Sequence, residues 1–200
     1  MRGAAVGQDW SIILALAVLG YLSGTWLGAI TVCRLARLPD PRLTGSSNPG
    51  FSNVLRLHGK RLALATLLID MAKGWPVLLM GMALELAPWG LGVVGLGVLL
   101  GHCYPLWYHL RGGKAVASAF GIMLLLTPGV ALICALIWVL LAWRVHTAAV
   151  ASLTSACLAP LISLWLAPDF VWVVVAFAIL VLIRHALNIR RLRDGSEHQL

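Results

Sequence analysis

Long apolar runs constrain this chain more than any motif. Seven stretches, at about 10–33, 62–81, 89–107, 115–127, 129–143, 148–166 and 170–187, carry almost no charge. In hydrocarbon every backbone N–H and C=O must be paired within the protein, so only helices or closed barrels can cross a bilayer. The runs do not alternate with period two, so they read as helices rather than strands. Composition agrees: 60% of residues are hydrophobic and 11% charged, with a mean hydropathy of +0.92. Soluble domains carry about a quarter charged residues. The expected architecture is an all-α integral membrane protein with seven transmembrane helices, forming one polytopic domain over residues 1–200. The fourth and fifth runs are short for a ~30 Å core. Pro128 and Gly129 mark the turn between them. The first run has no evident small-residue cleavage site and is expected to be a retained helix rather than a signal peptide.

Charge sets the orientation. Of the 15 Lys and Arg, 13 fall in one set of connections: the 34–61 loop, the 108–114 loop, Arg144 and the stretch from Arg184 to Arg193. The opposite connections hold Arg2 with Asp9, Glu85 and Asp169. Cytoplasmic loops are the basic ones, so these loops and the C-terminus are expected in the cytoplasm and the N-terminus outside. Seven spans put the termini on opposite sides, in accord with that. The net charge of +8 reflects topology and anionic lipid contact rather than nucleic acid. Cys33, Cys103, Cys134 and Cys157 are far apart, form no CxxC and read as apolar filler.

Three polar segments interrupt this oily chain, all on the basic side. "GSSNPGFSNVLR", 45–56, packs turn-forming Gly and Pro with the hydroxyls and amides of Ser46, Ser47, Asn48, Ser52 and Asn53. Small residues let backbone N–H groups approach an anion, and Arg56 adds a planar cation suited to bidentate phosphate contact. "GHCYPLWYHLRGGKAVASAFG", 101–121, places Gly112, Gly113 and Lys114 before a helix, whose N-terminus favours anions. It lacks the first glycine and the Ser or Thr of a Walker loop. "RHALNIRRLRDGSE", 184–197, ends the last run. Its arginines read as a membrane anchor, but His185 and Asn188, three apart on one helix face, are not needed for anchoring. Within the second run, Asp70 and Lys73 have the i,i+3 spacing of a buried pair. No HxxxxD, DxxDG or GxSxG pattern occurs, and no carboxylate cluster that would hold a metal. Chemistry here rests on cations, hydroxyls, amides and one or two histidines.

Together these segments, with "YLSGT" at 21–25, "DPRLTGSSNPGFSNVLRLHGK" at 40–60 and "DMAKG" at 70–74, resemble the bacterial acyl-phosphate-dependent glycerol-3-phosphate acyltransferases, the PlsY family. The resemblance covers nearly the whole chain. It implies a multi-pass enzyme of the bacterial cytoplasmic (inner) membrane whose active site faces the cytoplasm. Such an enzyme transfers a fatty acyl group from acyl-phosphate to the sn-1 hydroxyl of glycerol 3-phosphate, giving lysophosphatidic acid and inorganic phosphate, without cofactor or metal. Its expected partners are these substrates and membrane lipids. By motif, Ser46, Arg56, His185 and Asn188 are the expected catalytic residues. Asn48, Asn53, Gly112, Gly113 and Lys114 are expected to bind substrate, and Asp70, Lys73, His102 and Glu197 to support the structure. The sequence departs from the family's GSGNPGATN at Ser47 and at Phe51–Ser52, and from its GGKGVAT at Ala115 and Ser118. "GTWLG" replaces the expected GSIPF after Tyr21. Residues alone leave two further readings open: a small transporter of an anionic solute or lipid, and a membrane scaffold.

Overall fold

The computed structural model describes residues 9–200. Arg2, one of the charges behind the expected orientation, lies outside the described residues. Every apolar run is helical, and no strand occurs among the described residues. The helices are α1 (Trp10–Gly24), α2 (Gly28–Leu35), α3 (Phe51–His58), α4 (Lys60–Ala72), α5 (Trp75–Ala83), α6 (Pro88–Cys103), α7 (Val116–Leu126), α8 (Pro128–Val145), α9 (Ala148–Leu166), α10 (Val171–Arg184) and α11 (Ala186–Arg193).

Local sequence explains the ends. Asp9 caps α1, accepting from the Ser11 N–H at 2.8 Å, as a short acceptor before a helix does. Pro88 and Pro128 open α6 and α8, where a missing N–H costs nothing. The first run breaks at Thr25–Leu27 and the second at Lys73–Gly74, so each of these two runs contains two helices.

Five helical stretches are long and apolar enough to cross a membrane: Trp10–Leu35, Lys60–Ala83, Pro88–Tyr108, Pro128–Val145 and Ala148–Leu166. A sixth, Pro168–Arg184 continued by Ala186–Arg193, bends by 55° at His185. The remaining run, α7, has only 11 residues, about 16 Å of helix against a ~30 Å core. The expected seven stretches are thus all helices, but α7 is too short to span unaided.

Helix α6 runs through the centre of the core, where Val94, Val98 and Leu99 are fully buried with Ile122 of α7 and Val174 of α10. It lies against α1 at backbone distance. A Cβ on Gly24 would strike the Val98 carbonyl, and one on Gly101 the Tyr21 carbonyl, so glycine makes this close crossing possible. Outward faces stay apolar: Leu136, Val139 and Trp143 of α8 are exposed, as a lipid-facing surface requires.

Candidate active site

The 36–50 loop is organised by a side chain inside it. Asn53, fully buried in the first turn of α3, donates through Nδ2 to the carbonyls of Pro41 (2.9 Å) and Thr44 (3.1 Å), and its Oδ1 accepts from the Ser46 N–H (3.0 Å). A buried amide satisfies itself this way or not at all. The wrap carries Ser46 back over α3. There its hydroxyl meets Arg56, one turn further along, at 3.1 Å. Burial draws Arg56 below the ordinary guanidinium pKa, against the opposing pull of Glu197.

The 104–115 loop is fixed from two sides. From below, Gly112 and Gly113 lie against His102, with the Gly113 N–H donating to the His102 carbonyl at 3.1 Å. A Cβ on Gly113 would overlap the His102 ring, and one on Gly112 the His102 carbonyl. From above, Arg184 donates through Nε to Gly113 O and through Nη2 to Gly112 O, both at 3.1 Å, while stacked over Tyr104. The loop is tied to the first by Arg42, which pairs with Asp40 at 2.6 Å, sits over the Tyr108 ring and donates to the Tyr108 carbonyl. That guanidinium holds the Asp40 carboxyl below its usual pKa. The clamp leaves Lys114 projecting beyond the glycines. Burial, with Arg191, Arg56 and Arg184 nearby and only Glu197 opposing, lowers its pKa from 10.5 to about 8.

Beneath His102 is a buried ionic cluster. Lys73 Nζ donates to Asp70 Oδ1 (3.1 Å), the Trp26 carbonyl (3.0 Å) and His102 Nδ1 (2.6 Å), and Asp70 also accepts from the Gly28 N–H. With an ammonium donating to Nδ1, the His102 ring carries its hydrogen on Nε2. The expected Asp70–Lys73 pair is therefore present, and it carries the histidine on which the glycine loop rests.

In the third segment, His185 sits at the α10–α11 bend. Its Nδ1 lies 2.8 Å from the Val181 carbonyl. A carbonyl only accepts, so Nδ1 carries the hydrogen and Nε2 presents a lone pair. Asn188, one turn on, donates to Glu197 Oε1 at 2.7 Å, and Glu197 Oε2 is buried without a partner.

One cavity of about 420 Å³ collects these groups. Its polar end is lined by Ser46, Asn48, Arg56, Lys114, His185 and Asn188, with Asn53, Asp70, His102 and Glu197 also on its wall. It continues into an apolar limb between α7, α8, α9 and α10, past Phe120, Trp138, Ser152 and Phe177. Gly112, Gly113 and Lys73 are not on this wall. The glycines stand behind Lys114, and Lys73 beneath His102. Of the two carboxylates on the wall, Asp70 is paired with Lys73, which leaves Arg56 and Lys114 against Glu197 and makes the polar end suited to an anion. No group of three His, Cys, Asp or Glu among the described residues could hold a metal ion. Arg184 and Arg42, which hold the loops in place, escape sequence reasoning. Arg184 looks like one more cation in a basic run, and nothing in the sequence marks that two distant carbonyls need its donors.

Fold and cavity together define a helical, multi-pass membrane protein whose cavity joins a cationic end to an apolar limb. The chain belongs to the glycerol-3-phosphate acyltransferase family, whose model matches residues 14–195. It is 59% identical over 183 residues to a glycerol-3-phosphate acyltransferase of Chromohalobacter salexigens, covering 92% of this chain and 89% of that one. To that of Sodalis glossinidius it is 40% identical over 190 residues, covering 95% and 91%. Its fold matches the crystal structure of PlsY (YgiH), an integral membrane glycerol 3-phosphate acyltransferase, in the glycerol 3-phosphate form, with a TM-score of 0.87. That match has 30% identity and covers 94% of this chain and 95% of that one. The lysophosphatidic acid form matches with a TM-score of 0.85. The chain is an acyltransferase of phospholipid biosynthesis, and family membership sets the transport and scaffold readings aside.

Proposed function

We propose that this enzyme takes its acyl group from acyl-phosphate and passes it directly to the sn-1 hydroxyl of glycerol 3-phosphate. One observation carries the reading: a single cavity joins a cationic end to an apolar limb. Both substrates bring phosphate to the first, and the donor brings a hydrocarbon tail to the second. Holding them together supplies proximity.

His185, which lines the cavity and keeps its lone pair on Nε2, takes the proton as the sn-1 oxygen attacks the acyl carbonyl carbon. The new C–O bond forms, the carbonyl carbon's bond to the phosphate oxygen breaks, and inorganic phosphate leaves with the bonding electrons. Arg56, with the Ser46 hydroxyl at 3.1 Å, stabilises the charge on the acyl-phosphate side. Lys114 holds the glycerol 3-phosphate phosphate, and Asn48 and Asn188 orient the reactants. Asn53 shapes the loop rather than touching substrate, because its amide is committed to three backbone groups. Acyl-phosphate is already activated and, among the described residues, no carboxylate orients a histidine toward Ser46, so no acyl-enzyme is needed. The reaction runs at the cytoplasmic face of a bacterial inner membrane, in one domain, with α7 completing a set of seven crossings while shielded by its neighbours.

Purified protein given palmitoyl-phosphate and labelled glycerol 3-phosphate tests this. Labelled lysophosphatidic acid from wild type, and at least about a hundredfold less from Arg56→Ala and His185→Ala, is the expected result. A stoichiometric acyl-Ser46 adduct would overturn direct transfer.

A further inference from the structure

The apolar limb of the cavity has layers. Helices α8 and α9 run antiparallel along it, and their cross-links fix a register. Trp138 Nε1 donates to Ser152 Oγ at 2.9 Å, and one turn deeper Ser155 Oγ donates to the Cys134 carbonyl at 3.3 Å. Continuing that register by another turn sets Ala131 opposite Ala159. Both line the cavity, as do Met123 of α7 and Val174 of α10 at the same end. Burial changes along the ladder. Trp138 and Cys134 are half-buried, whereas Ala131 is 0%, Val174 1%, Ala159 5% and Met123 8% exposed. Behind them Ile122 and Val130 are fully buried. The limb is open near the polar end and closed at the far end.

We propose that the layer of Ala131, Ala159, Met123 and Val174 is the floor of the acyl site and sets the chain length that the enzyme prefers. This rests on the acyl-phosphate reading above. From His185, where the acyl carbonyl reacts, to Val174 is eleven residues of α10 and its bend, about 16 Å at helical rise. An extended hydrocarbon with C–C bonds of about 1.5 Å advances about 1.25 Å per carbon, so the tail meets the floor near its thirteenth carbon. Two alanines face each other there. A leucine at either position reaches two bonds further than alanine, about 2.5 Å at the same advance per carbon, which is the length of about two carbons. Trimming Met123 deepens the floor instead.

The test is internal competition. Wild type, Ala131→Leu, Ala159→Leu and Met123→Ala each receive glycerol 3-phosphate with an equimolar series of acyl-phosphates from C8 to C18. The lysophosphatidic acids formed are read by mass spectrometry. Product ratios within one tube do not depend on how much protein folded. Both leucine variants are expected to raise the C10-to-C16 product ratio about tenfold, the scale on which an apolar pocket discriminates a few methylenes. Met123→Ala is expected to move it the other way. Product profiles that superimpose on wild type, in whichever of the three variants make product, overturn the floor while leaving acyl transfer intact. If wild type forms no product from any chain length, the acyl-phosphate reading itself fails.

Discussion

Lys73 and Lys114 are both drawn away from bulk water, and their surroundings are opposite. Lys73 has all its donors engaged, by Asp70, His102 and the Trp26 carbonyl. Lys114 makes no hydrogen bond or ion pair among the described residues, and arginines outnumber carboxylates around it. A buried cation whose partners are all in place is part of the framework. One left unsatisfied beside a cavity suits the anion-binding role proposed above for Lys114. The same residue type thus separates the framework from the proposed site.

The largest expected effect lies on the scaffold side. Lys73→Met leaves Asp70 buried without its counter-charge, and such a break costs about 3–5 kcal/mol. Thermal unfolding in detergent should show it as a large fall in Tm. The KM for glycerol 3-phosphate should rise as well, because His102 loses the donor that fixes the ring under Gly113.

On the site side, Lys114→Met should lower kcat/KM for glycerol 3-phosphate by about 10²–10³-fold while leaving Tm unchanged or higher. If instead Tm falls as far as in Lys73→Met and activity survives, the comparison is wrong.

Titration gives a smaller, sharper test. The Lys114 ammonium is lost as pH rises through about 8, so kcat/KM should fall about tenfold per pH unit above that value. Lys114→Arg should flatten the decline. Stability moves the other way. The folded chain binds this proton less tightly than the unfolded one, so between about pH 8 and 10.5 unfolding takes up a proton and the fold gains stability as pH rises. Denaturation without substrate across that window should show the gain.

The smallest effect concerns two departures from the family pattern. Ser47 and Ala115 have φ of 59° and 60°, the left-handed region where a side chain costs about 1–2 kcal/mol and glycine nothing comparable. Ser47→Gly and Ala115→Gly should each stabilise by about 0.5–1 kcal/mol after glycine's own entropy cost, as a rise of a few degrees in Tm.

Much of this was legible in the sequence. Apolar runs without alternation fix helices, and the three polar segments converge on one cavity, with Ser46, Asn48, Arg56, Lys114, His185 and Asn188 side by side. What stayed hidden shares one physical cause. A sequence shows which groups are polar, not which way they point. Asn53 reads as a substrate donor in a Ser-Asn loop, yet it turns inward because the loop's own carbonyls need it. Arg184 reads as a membrane anchor, yet it supplies the donors for Gly112 and Gly113. The breaks inside the first two runs left a faint trace, in Gly24 and Gly28 around Thr25 and in Gly74 and Pro76 after Lys73, which the high hydropathy of the runs outweighs. Positive φ at Ala115 follows from the shape of the loop, which composition does not specify.

The Arg184 clamp has a consequence for the order of events in synthesis. The Gly112–Lys114 loop leaves the ribosome some seventy residues before the guanidinium that grips its carbonyls, and His185 and Asn188 follow directly. Until α10 has docked, Asn53 still holds Ser46 beside Arg56, but the Gly112–Lys114 loop is gripped only from the His102 side, and the limb lacks its fourth wall. On the proposed mechanism the nascent chain is therefore inert, and activity switches on only when α10 brings His185 and Asn188 to the cavity and closes it.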